Sequence, residues 1–161
     1  MADEHAFRVS AWWTSGRTGL AKCDSAPNAI HFSEAEEFGG LAGRWTPEQL
    51  LLSALAACFT TTFEAVARSA KFPYTDLEVE VDGAVRKDKL ECSFSEIVMR
   101  PRLTVQSEEE IDEGMGLLRQ AKSLCLIAGA ISVPQTAELK VEVGKLPSAG
   151  RAIEAVVKVG V

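Results

Sequence analysis

Four cysteines are the most direct source of chemistry in this sequence of 161 residues: Cys23, Cys58, Cys92 and Cys125. They contain no Cys-x-x-Cys pair, and with only two histidines in the chain the ligand spacing of a zinc site is absent. Free cysteine is among the most buried residue types, so packing explains each thiol when it is taken alone. A reducing cytoplasm disfavours structural disulfides, which leaves reversible redox reactions as the chemistry open to these thiols.

Two charged residues are further candidates for chemistry. Arg17 lies within Gly16-Arg17-Thr18-Gly19, and Glu48 lies within Thr46-Pro47-Glu48-Gln49. Taken singly, Arg17 is a solvated charge on a turn, and Glu48 is a carboxylate favoured by the dipole of a helix start. A guanidinium close to sulfur would favour the thiolate, because arginine stays charged at every physiological pH.

The composition is that of an ordinary globular domain. Apolar residues make up 47% and charged residues 25%, with a net charge of −6. No cluster of Lys and Arg indicates a nucleic-acid or basic membrane-binding surface. The first residues, MADEHAFR, lack the apolar core of a secretory signal, and the apolar run Leu50–Phe59 is too short to cross a membrane. We therefore expect a cytoplasmic protein without nucleic-acid or membrane partners.

Short strands are predicted in the first third of the chain. Apolar and polar residues alternate over 7–13, and two glycines then mark a turn into a second strand that ends near Cys23. This pattern predicts a hairpin with Arg17 at its tip. A third strand is expected at Ile30–Phe32, followed by a glycine-bearing loop over 38–44.

A long helix is predicted after the glycine-bearing loop. Thr46 and Gln49 form a T-x-x-Q capping box, and Pro47 suits the first helical position. The helix should end near Ala70, before Pro73. Leucine and alanine cover most of its circumference, which is typical of a central buried helix.

Two half-exposed strands are predicted next. Apolar residues alternate with charged ones over 77–85 and again over 97–105, which indicates an antiparallel pair. Pro101 lacks an N–H donor, so we expect it at a sheet edge or a bulge.

A second helix and a last strand complete the predicted order. The S-x-x-E box at Ser107 opens the helix, and an apolar stripe from Ile111 places Cys125 late in it. The last strand is expected over 139–143. The order β-β-β-α-β-β-α-β favours an α+β fold, and no repeat or linker divides the single domain expected over 1–161.

The spacing of Glu48 and Cys58 carries a geometric consequence. Ten residues of continuous helix separate them by about 15 Å of rise and about 80° of rotation, so they cannot meet through one helix. Either the helix breaks, or Glu48 serves the Cys58 position of a second subunit. Because no Gly or Pro follows Gln49 before Cys58, we predict a site completed across a dimer interface.

Three stretches resemble the OsmC/Ohr family of osmotically inducible and organic-hydroperoxide-resistance proteins. They are GRTG around Arg17, GGLAGRWTPEQLLLSALAACF over 39–59 and KSLCLIAGAIS over 122–132. The middle stretch is the most specific, because a glycine-rich loop, Pro-Glu-Gln-Leu and Ala-Ala-Cys-Phe follow one another at fixed spacing. The resemblance spans about residues 7–144 and leaves the tail 145–161 outside it.

The resemblance implies a thiol peroxidase on an OsmC-like α+β fold, assembled as an intertwined homodimer with active sites at the subunit interface. It assigns Cys58 as the reactive cysteine and Cys125 as the resolving cysteine that forms a disulfide with it. Arg17 and Glu48 would organise the reactive thiolate, with Glu48 orienting Arg17 from the partner subunit. No metal or bound cofactor is implied. Electrons would return from an external dithiol, lipoyl groups in particular.

The chemistry agrees with these implied roles. An ordinary thiol with a pKa of about 8.5 is only about 3% thiolate at pH 7, whereas the thiolate is what attacks a peroxide. Attack converts the Cys58 thiol to a sulfenic acid, which a nearby thiol converts to a disulfide. Apolar neighbours, namely Phe59, Leu124 and Leu126, favour an organic hydroperoxide over hydrogen peroxide.

The chain departs from many family members at its second cysteine. They carry Cys-Pro-x-Ser where this chain has Cys125-Leu126-Ile127-Ala128, which is closer to the OsmC-like branch. Two other functions remain open: a non-catalytic dimeric module that binds apolar ligands, and a redox sensor without fast turnover. The presence of Arg17, Glu48 and both cysteines favours the enzyme.

Overall fold

The computed structural model describes residues 4–14, 16–88 and 91–144. They form two compact units, one that ends at Leu51 and one that begins at Leu52. The fold is mixed α+β, as predicted. The tail 145–161, for which the sequence predicts no definite element, lies outside the described residues.

The unit up to Leu51 contains an antiparallel sheet in the order β1-β2-β3. The predicted hairpin is confirmed, although its first strand begins three residues later than the expected residue 7. The predicted third strand is confirmed at its expected bounds. The strands are β1 (Ser10–Trp13), β2 (Gly19–Lys22) and β3 (Ile30–Phe32), and one turn of 3-10 helix follows at Glu36–Phe38.

Helix α1 (Pro47–Ala70) begins and ends where the sequence predicts. The Thr46 N–H donates to Gln49 Oε1 at 3.0 Å, and the Gln49 N–H donates to Thr46 Oγ1 at 3.2 Å, which confirms the capping box. Lys71 follows the helix with a φ of 54°. This left-handed conformation is the common way to end an α-helix.

Burial of α1 is one-sided in the single chain. Its buried residues lie along one stripe: Leu55, Phe59, Phe63, Val66 and Ala67. By length and composition this helix is apolar enough to cross a membrane, but the core helix of a water-soluble protein meets the same criterion. The sequence pattern therefore indicates a helix that is apolar around most of its circumference, and the described residues 4–14, 16–88 and 91–144 bury only one side of it.

The unit from Leu52 contains a second sheet centred on β5. The predicted antiparallel pair is confirmed, with a bulge between Ala84 and Val85, and both strands are longer than expected. Two short parallel strands pair with the other side of β5, where the sequence predicts only one. The strands are β4 (Asp76–Asp88), β5 (Glu91–Val105), β6 (Gln135–Ala137) and β7 (Lys140–Val143).

Pro101 lies in the central strand, so the expectation of an edge or a bulge is wrong. On one side of β5, pairing with β6 ends at Met99 and pairing with β7 begins at Arg102. The Ile97 N–H donates to Pro134 O on this side of β5. Because backbone N–H groups alternate between the two sides along a strand, the nitrogen of Pro101, four residues later, faces the same side. Pro101 therefore fills a gap between two short strands, where no donor is needed.

The second predicted helix is two helices, α2 (Ile111–Leu124) and α3 (Leu126–Ala130). The Ser107 N–H donates to Glu110 Oε2 at 3.1 Å, so the predicted capping box is confirmed. It opens one turn of 3-10 helix at Glu108–Glu110, which leads directly into α2. The placement of Cys125 late in one helix is wrong, because its ψ of 106° is extended and separates α2 from α3. The break contains neither Gly nor Pro, and the apolar stripe continues across it, so periodicity alone does not reveal it.

A single apolar core joins α1, α2 and β5 within the unit from Leu52. Alternate residues of β5 face it, and the Phe63 ring meets the Tyr74 ring edge to face at 5.3 Å. Cys125 belongs to this core, and Cys58 packs against it. The buried set includes Leu55, Phe59, Phe63, Ile97, Met99, Leu103, Val105, Leu117, Leu118 and Ala121. The core therefore positions both cysteines.

Candidate functional site

The Cys58 side chain is half-buried on α1 and reaches the break between α2 and α3. Its Sγ accepts a hydrogen bond from the Ile127 N–H at 3.5 Å. Its carbonyl accepts a hydrogen bond from Thr62 Oγ1 at 2.7 Å, one turn along the helix. The break in the second helix thus supplies a backbone donor that an unbroken helix would have used internally.

Cys125 occupies the break itself and is only 4% exposed. Its thiol interacts directly with that of Cys58, and both cysteines are free thiols. The structure therefore brings together the two residues that the sequence predicts as a reactive and resolving pair.

The surroundings shift the two thiols in opposite directions. Partial burial raises the pKa of Cys58, but hydrogen bonds from the Ile127 N–H and the Cys125 thiol outweigh burial and lower that pKa overall. Burial raises the pKa of Cys125, and the neighbouring Cys58 sulfur raises it further. The thiolate is therefore favoured more at Cys58 than at Cys125, which suits Cys58 as the first nucleophile.

Gln135 holds the far end of the short helix α3. Its Nε2 donates to Ala128 O at 2.9 Å and to Ile131 O at 3.0 Å, so one side-chain amide satisfies two carbonyls at the end of that helix. The first turn of α3 contains Ile127, whose N–H donates to Cys58 Sγ. Sequence reasoning missed Gln135, because the contact joins β6 to α3 and no local motif marks it.

Arg17 lies on the turn between β1 and β2, as predicted, with an exposed side chain. Its Nη2 stands 4.0 Å from Glu34 Oε2. Gly39 has a φ of 86°, and a Cβ there would approach Arg17 Nη2 to 2.6 Å. Because Gly39 has no Cβ, the Arg17 guanidinium can lie against the glycine-bearing loop.

Ser33 connects the Arg17 turn to the glycine-bearing loop. It is 1% exposed; its Oγ donates to Arg17 O at 2.7 Å and accepts from the Leu41 N–H at 2.9 Å. A Cβ at Gly40 would collide with the Glu34 carbonyl oxygen, so only glycine fits that position. Sequence reasoning missed Ser33; its one signal is a small polar residue directly after a predicted strand.

Glu48 lies in the first turn of α1, as predicted, and is half-buried. Its Oε2 is buried and has no hydrogen-bond partner among the residues that the structure describes. Within one chain Arg17 pairs with Glu34, and the orientation of Arg17 by Glu48 stays a prediction. Helix α1 is continuous past Cys58, which removes the alternative of a broken helix.

The other two cysteines have no counterpart of this arrangement. Cys23 is half-exposed and lies 3.5 Å from Ser25 Oγ, and Cys92 is exposed on β5. No group of three His, Cys, Asp or Glu side chains in residues 4–14, 16–88 and 91–144 could hold a metal ion.

The family model described as OsmC-like protein matches residues 40–140 of this chain. Among curated proteins, the chain is similar to YmaD of Bacillus subtilis, an uncharacterized protein, with 28% identity over 134 residues. The match covers 81% of this chain and 89% of that protein.

Solved structures share the fold at low identity. An OsmC-like protein of unknown function from Vibrio cholerae matches with a TM-score of 0.74 and 16% identity, over 84% of this chain and 99% of the other. An organic hydroperoxide resistance protein from Elizabethkingia anophelis matches with a TM-score of 0.69 and 20% identity, over 89% and 100%. One from Legionella pneumophila matches with a TM-score of 0.67 and 21% identity, over 86% and 99%.

Proposed function

Since the chain belongs to the OsmC-like family, we propose that it is a cysteine-based thiol peroxidase that reduces organic, lipid-type hydroperoxides to alcohols. The observation that carries this proposal is the adjacent pair of thiols with opposite pKa shifts, lowered at Cys58 and raised at Cys125. The organic hydroperoxide resistance proteins of two bacteria share the fold, which supports this choice of substrate class.

In the first step the Cys58 thiolate attacks one oxygen of the hydroperoxide. An S–O bond forms as the O–O bond breaks, and the alkoxide that leaves takes a proton to become the alcohol. Cys58 is then a sulfenic acid. The Ile127 N–H, 3.5 Å from Sγ, stabilises the thiolate before attack.

In the second step Cys125 closes the cycle. Its thiol loses a proton and attacks the Cys58 sulfur, and hydroxide leaves and is protonated to water. The direct contact between the two thiols supports this step. An external dithiol, a lipoyl group for example, then reduces the Cys58–Cys125 disulfide, with no bound cofactor.

Arg17 and Glu48 complete the proposed site in a homodimer. Arg17 stabilises the thiolate and the peroxide oxygens, and Glu48 orients it from the partner subunit. The buried Glu48 Oε2, which has no hydrogen-bond partner in the described part of the chain, supports this arrangement. Exposed apolar side chains in the unit up to Leu51 also support a covering subunit: Phe7, Val9, Trp12, Trp13 and Trp45.

Two leucines beside the site support an organic substrate. Leu124 is 57% exposed and Leu126 is 74% exposed, on either side of Cys125. An alkyl tail that covers them would remove apolar surface from water, at about 25 cal/mol per Å². We therefore expect faster oxidation by cumene hydroperoxide than by hydrogen peroxide, and equal or reversed rates would contradict this substrate preference.

Peroxide treatment of the purified protein tests the proposed enzyme. Cumene hydroperoxide should produce a Cys58–Cys125 disulfide, mapped by mass spectrometry, and dihydrolipoamide should sustain turnover. A disulfide without turnover would indicate a redox sensor. The absence of the disulfide would indicate a module that binds apolar ligands without catalysis.

A further inference from the structure

A cavity of about 280 Å³ opens beside Cys125, in the unit that begins at Leu52. The end of α2, helix α3 and strand β6 surround it, and its lining includes Cys125, Lys122, Ser123, Gly129, Gln135 and Thr136. Cys125 lines this cavity, whereas Cys58 does not. The cavity therefore reaches the pair of thiols from the side of Cys125.

The two sulfurs of a Cys58–Cys125 disulfide are not equivalent toward a reductant. A thiolate that attacks one sulfur expels the other, and a thiol of lower pKa leaves faster. Cys58 has the lower pKa of the two thiols, and the Ile127 N–H that donates to its sulfur would stabilise the thiolate that leaves. Leaving-group chemistry thus favours attack on Cys125, which is the cysteine that lines the cavity.

We propose that this cavity admits the thiol reductant, which attacks Cys125 Sγ and releases Cys58 as the thiolate. The inference rests on the disulfide of the proposed function. Lys122 is an exposed residue that lines the cavity, and its positive charge favours the approach of a thiolate.

Atoms and electrons balance with a dithiol as the reductant. Its thiolate forms an S–S bond with Cys125 as the Cys58–Cys125 bond breaks, and the electron pair leaves on Cys58. The second thiol of the reductant then attacks the first, and Cys125 leaves and takes a proton. The dithiol is oxidised by two electrons to a cyclic disulfide, and both cysteines are reduced.

A pair of matched glycine variants tests the route. A Cβ at Gly129, in α3 and at the cavity, meets no atom within 4 Å, so Gly129→Leu places its side chain in open space there. A Cβ at Gly116, on the exposed side of α2, also meets nothing within 4 Å, and Gly116 does not line the cavity. Gly116→Leu is therefore the control for the same exchange in a helix.

The experiment starts from protein oxidised with diamide, so that the disulfide does not depend on peroxide turnover. We expect Gly129→Leu to slow reduction by dihydrolipoamide by about tenfold or more, and Gly116→Leu to leave it within about twofold. The oxidation rate of the reduced protein by cumene hydroperoxide, measured in parallel, tests the proposed peroxidase separately.

The position of attack is read from wild-type protein. Oxidised protein is treated briefly with 2-mercaptoethanol, quenched with an alkylating agent and digested for mass spectrometry. We expect mercaptoethanol on Cys125 and the alkyl group on Cys58. Mercaptoethanol on Cys58, an unchanged reduction rate in Gly129→Leu, or a failure of diamide to form the disulfide would each overturn the proposal.

Discussion

At the scale of single residues, two thiols of the same chemical type differ because of their neighbours. Cys58 faces a backbone N–H and a thiol that donates to it, whereas Cys125 sits in the apolar core. Burial alone would raise the pKa of both. Hydrogen-bond donors reach both sulfurs, but they outweigh burial only at Cys58, whereas burial and the neighbouring Cys58 sulfur outweigh them at Cys125.

The first prediction concerns the pH dependence of Cys58. Alkylation by iodoacetamide follows the thiolate, so its rate at Cys58 should have a midpoint below the usual thiol value of about 8.5. As pH falls, Cys58 should stay reactive after an ordinary thiol has become protonated. Cys125→Ala removes a donor to the sulfur, and the midpoint should move upward.

The measurement is the alkylation rate of the Cys58 peptide against pH, by mass spectrometry. The exposed Cys92 on β5 offers the control Cys92→Ala, which should leave the midpoint unchanged. An equal midpoint in wild type and Cys125→Ala would contradict the role of the Cys125 thiol.

The second prediction concerns the buried hydroxyl of Ser33. Ser33→Ala leaves the Arg17 carbonyl and the Leu41 N–H without their partner, which should lower the free energy of unfolding by about 1–3 kcal/mol. Urea denaturation measures the change. Ser95→Ala, which removes an exposed hydrogen bond to Ala84 O, is the control and should change stability by less than about 0.5 kcal/mol. Equal losses in the two variants would show that Ser33 does not act as a buried link.

At the scale of elements, the break between α2 and α3 brings the thiols of Cys58 and Cys125 together. It frees the Ile127 N–H for Cys58 and places Cys125 in the core at the same time. A helix of five residues is too short to persist by itself, so tertiary contacts must hold it. Gln135 supplies two of those contacts.

The third prediction follows from the Gln135 amide. Gln135→Leu should lower the free energy of unfolding by about 1 kcal/mol and raise the pKa of Cys58, because α3 no longer holds its N–H donor in place. The pH midpoint of Cys58 alkylation reports the second effect, which a loss of stability alone would not move. Gln120→Leu, at an exposed position on α2, is the control. An unmoved midpoint in Gln135→Leu would mean that α3 keeps its position without the amide.

Sequence reasoning predicts some features of the helices and strands but not others. Capping boxes at Thr46 and Ser107 are local signals, and both helix starts are where they predict. The break at Cys125 has no local signal, because it contains neither Gly nor Pro, and the N–H that it frees at Ile127 donates to Cys58, which is distant in sequence. The same holds for Gln135 and Ser33, whose partners are distant in sequence or lie on another element.

At the scale of the whole molecule, sequence reasoning predicts the arrangement of some candidate site residues better than that of others. Cys58 and Cys125 are predicted as a pair from the resemblance, and the structure places them together. The roles of Arg17 and Glu48 stay predictions. Their geometry in a homodimer depends on a second chain, which no pattern in one sequence describes.

The fourth prediction tests that homodimer. Glu48→Ala and Cys58→Ser homodimers should both lose peroxidase activity. Random mixing should restore about a quarter of wild-type activity, because half of the dimers would be mixed and each would hold one intact site. The measurement is turnover with cumene hydroperoxide after the chains are unfolded and refolded together. If Glu48 served the cysteine of its own chain, the mixture would stay as inactive as its parents.

The direct contact between the two thiols affects how many catalytic cycles the protein would complete before Cys58 is irreversibly oxidised. In the proposed cycle, a sulfenic acid on Cys58 would either be captured by Cys125 or react with a second peroxide, which carries it to an irreversible sulfinic acid. Because Cys125 is already in place, capture is intramolecular and does not weaken as the protein is diluted. The number of cycles that a molecule survives should therefore depend on the peroxide concentration and not on the protein concentration.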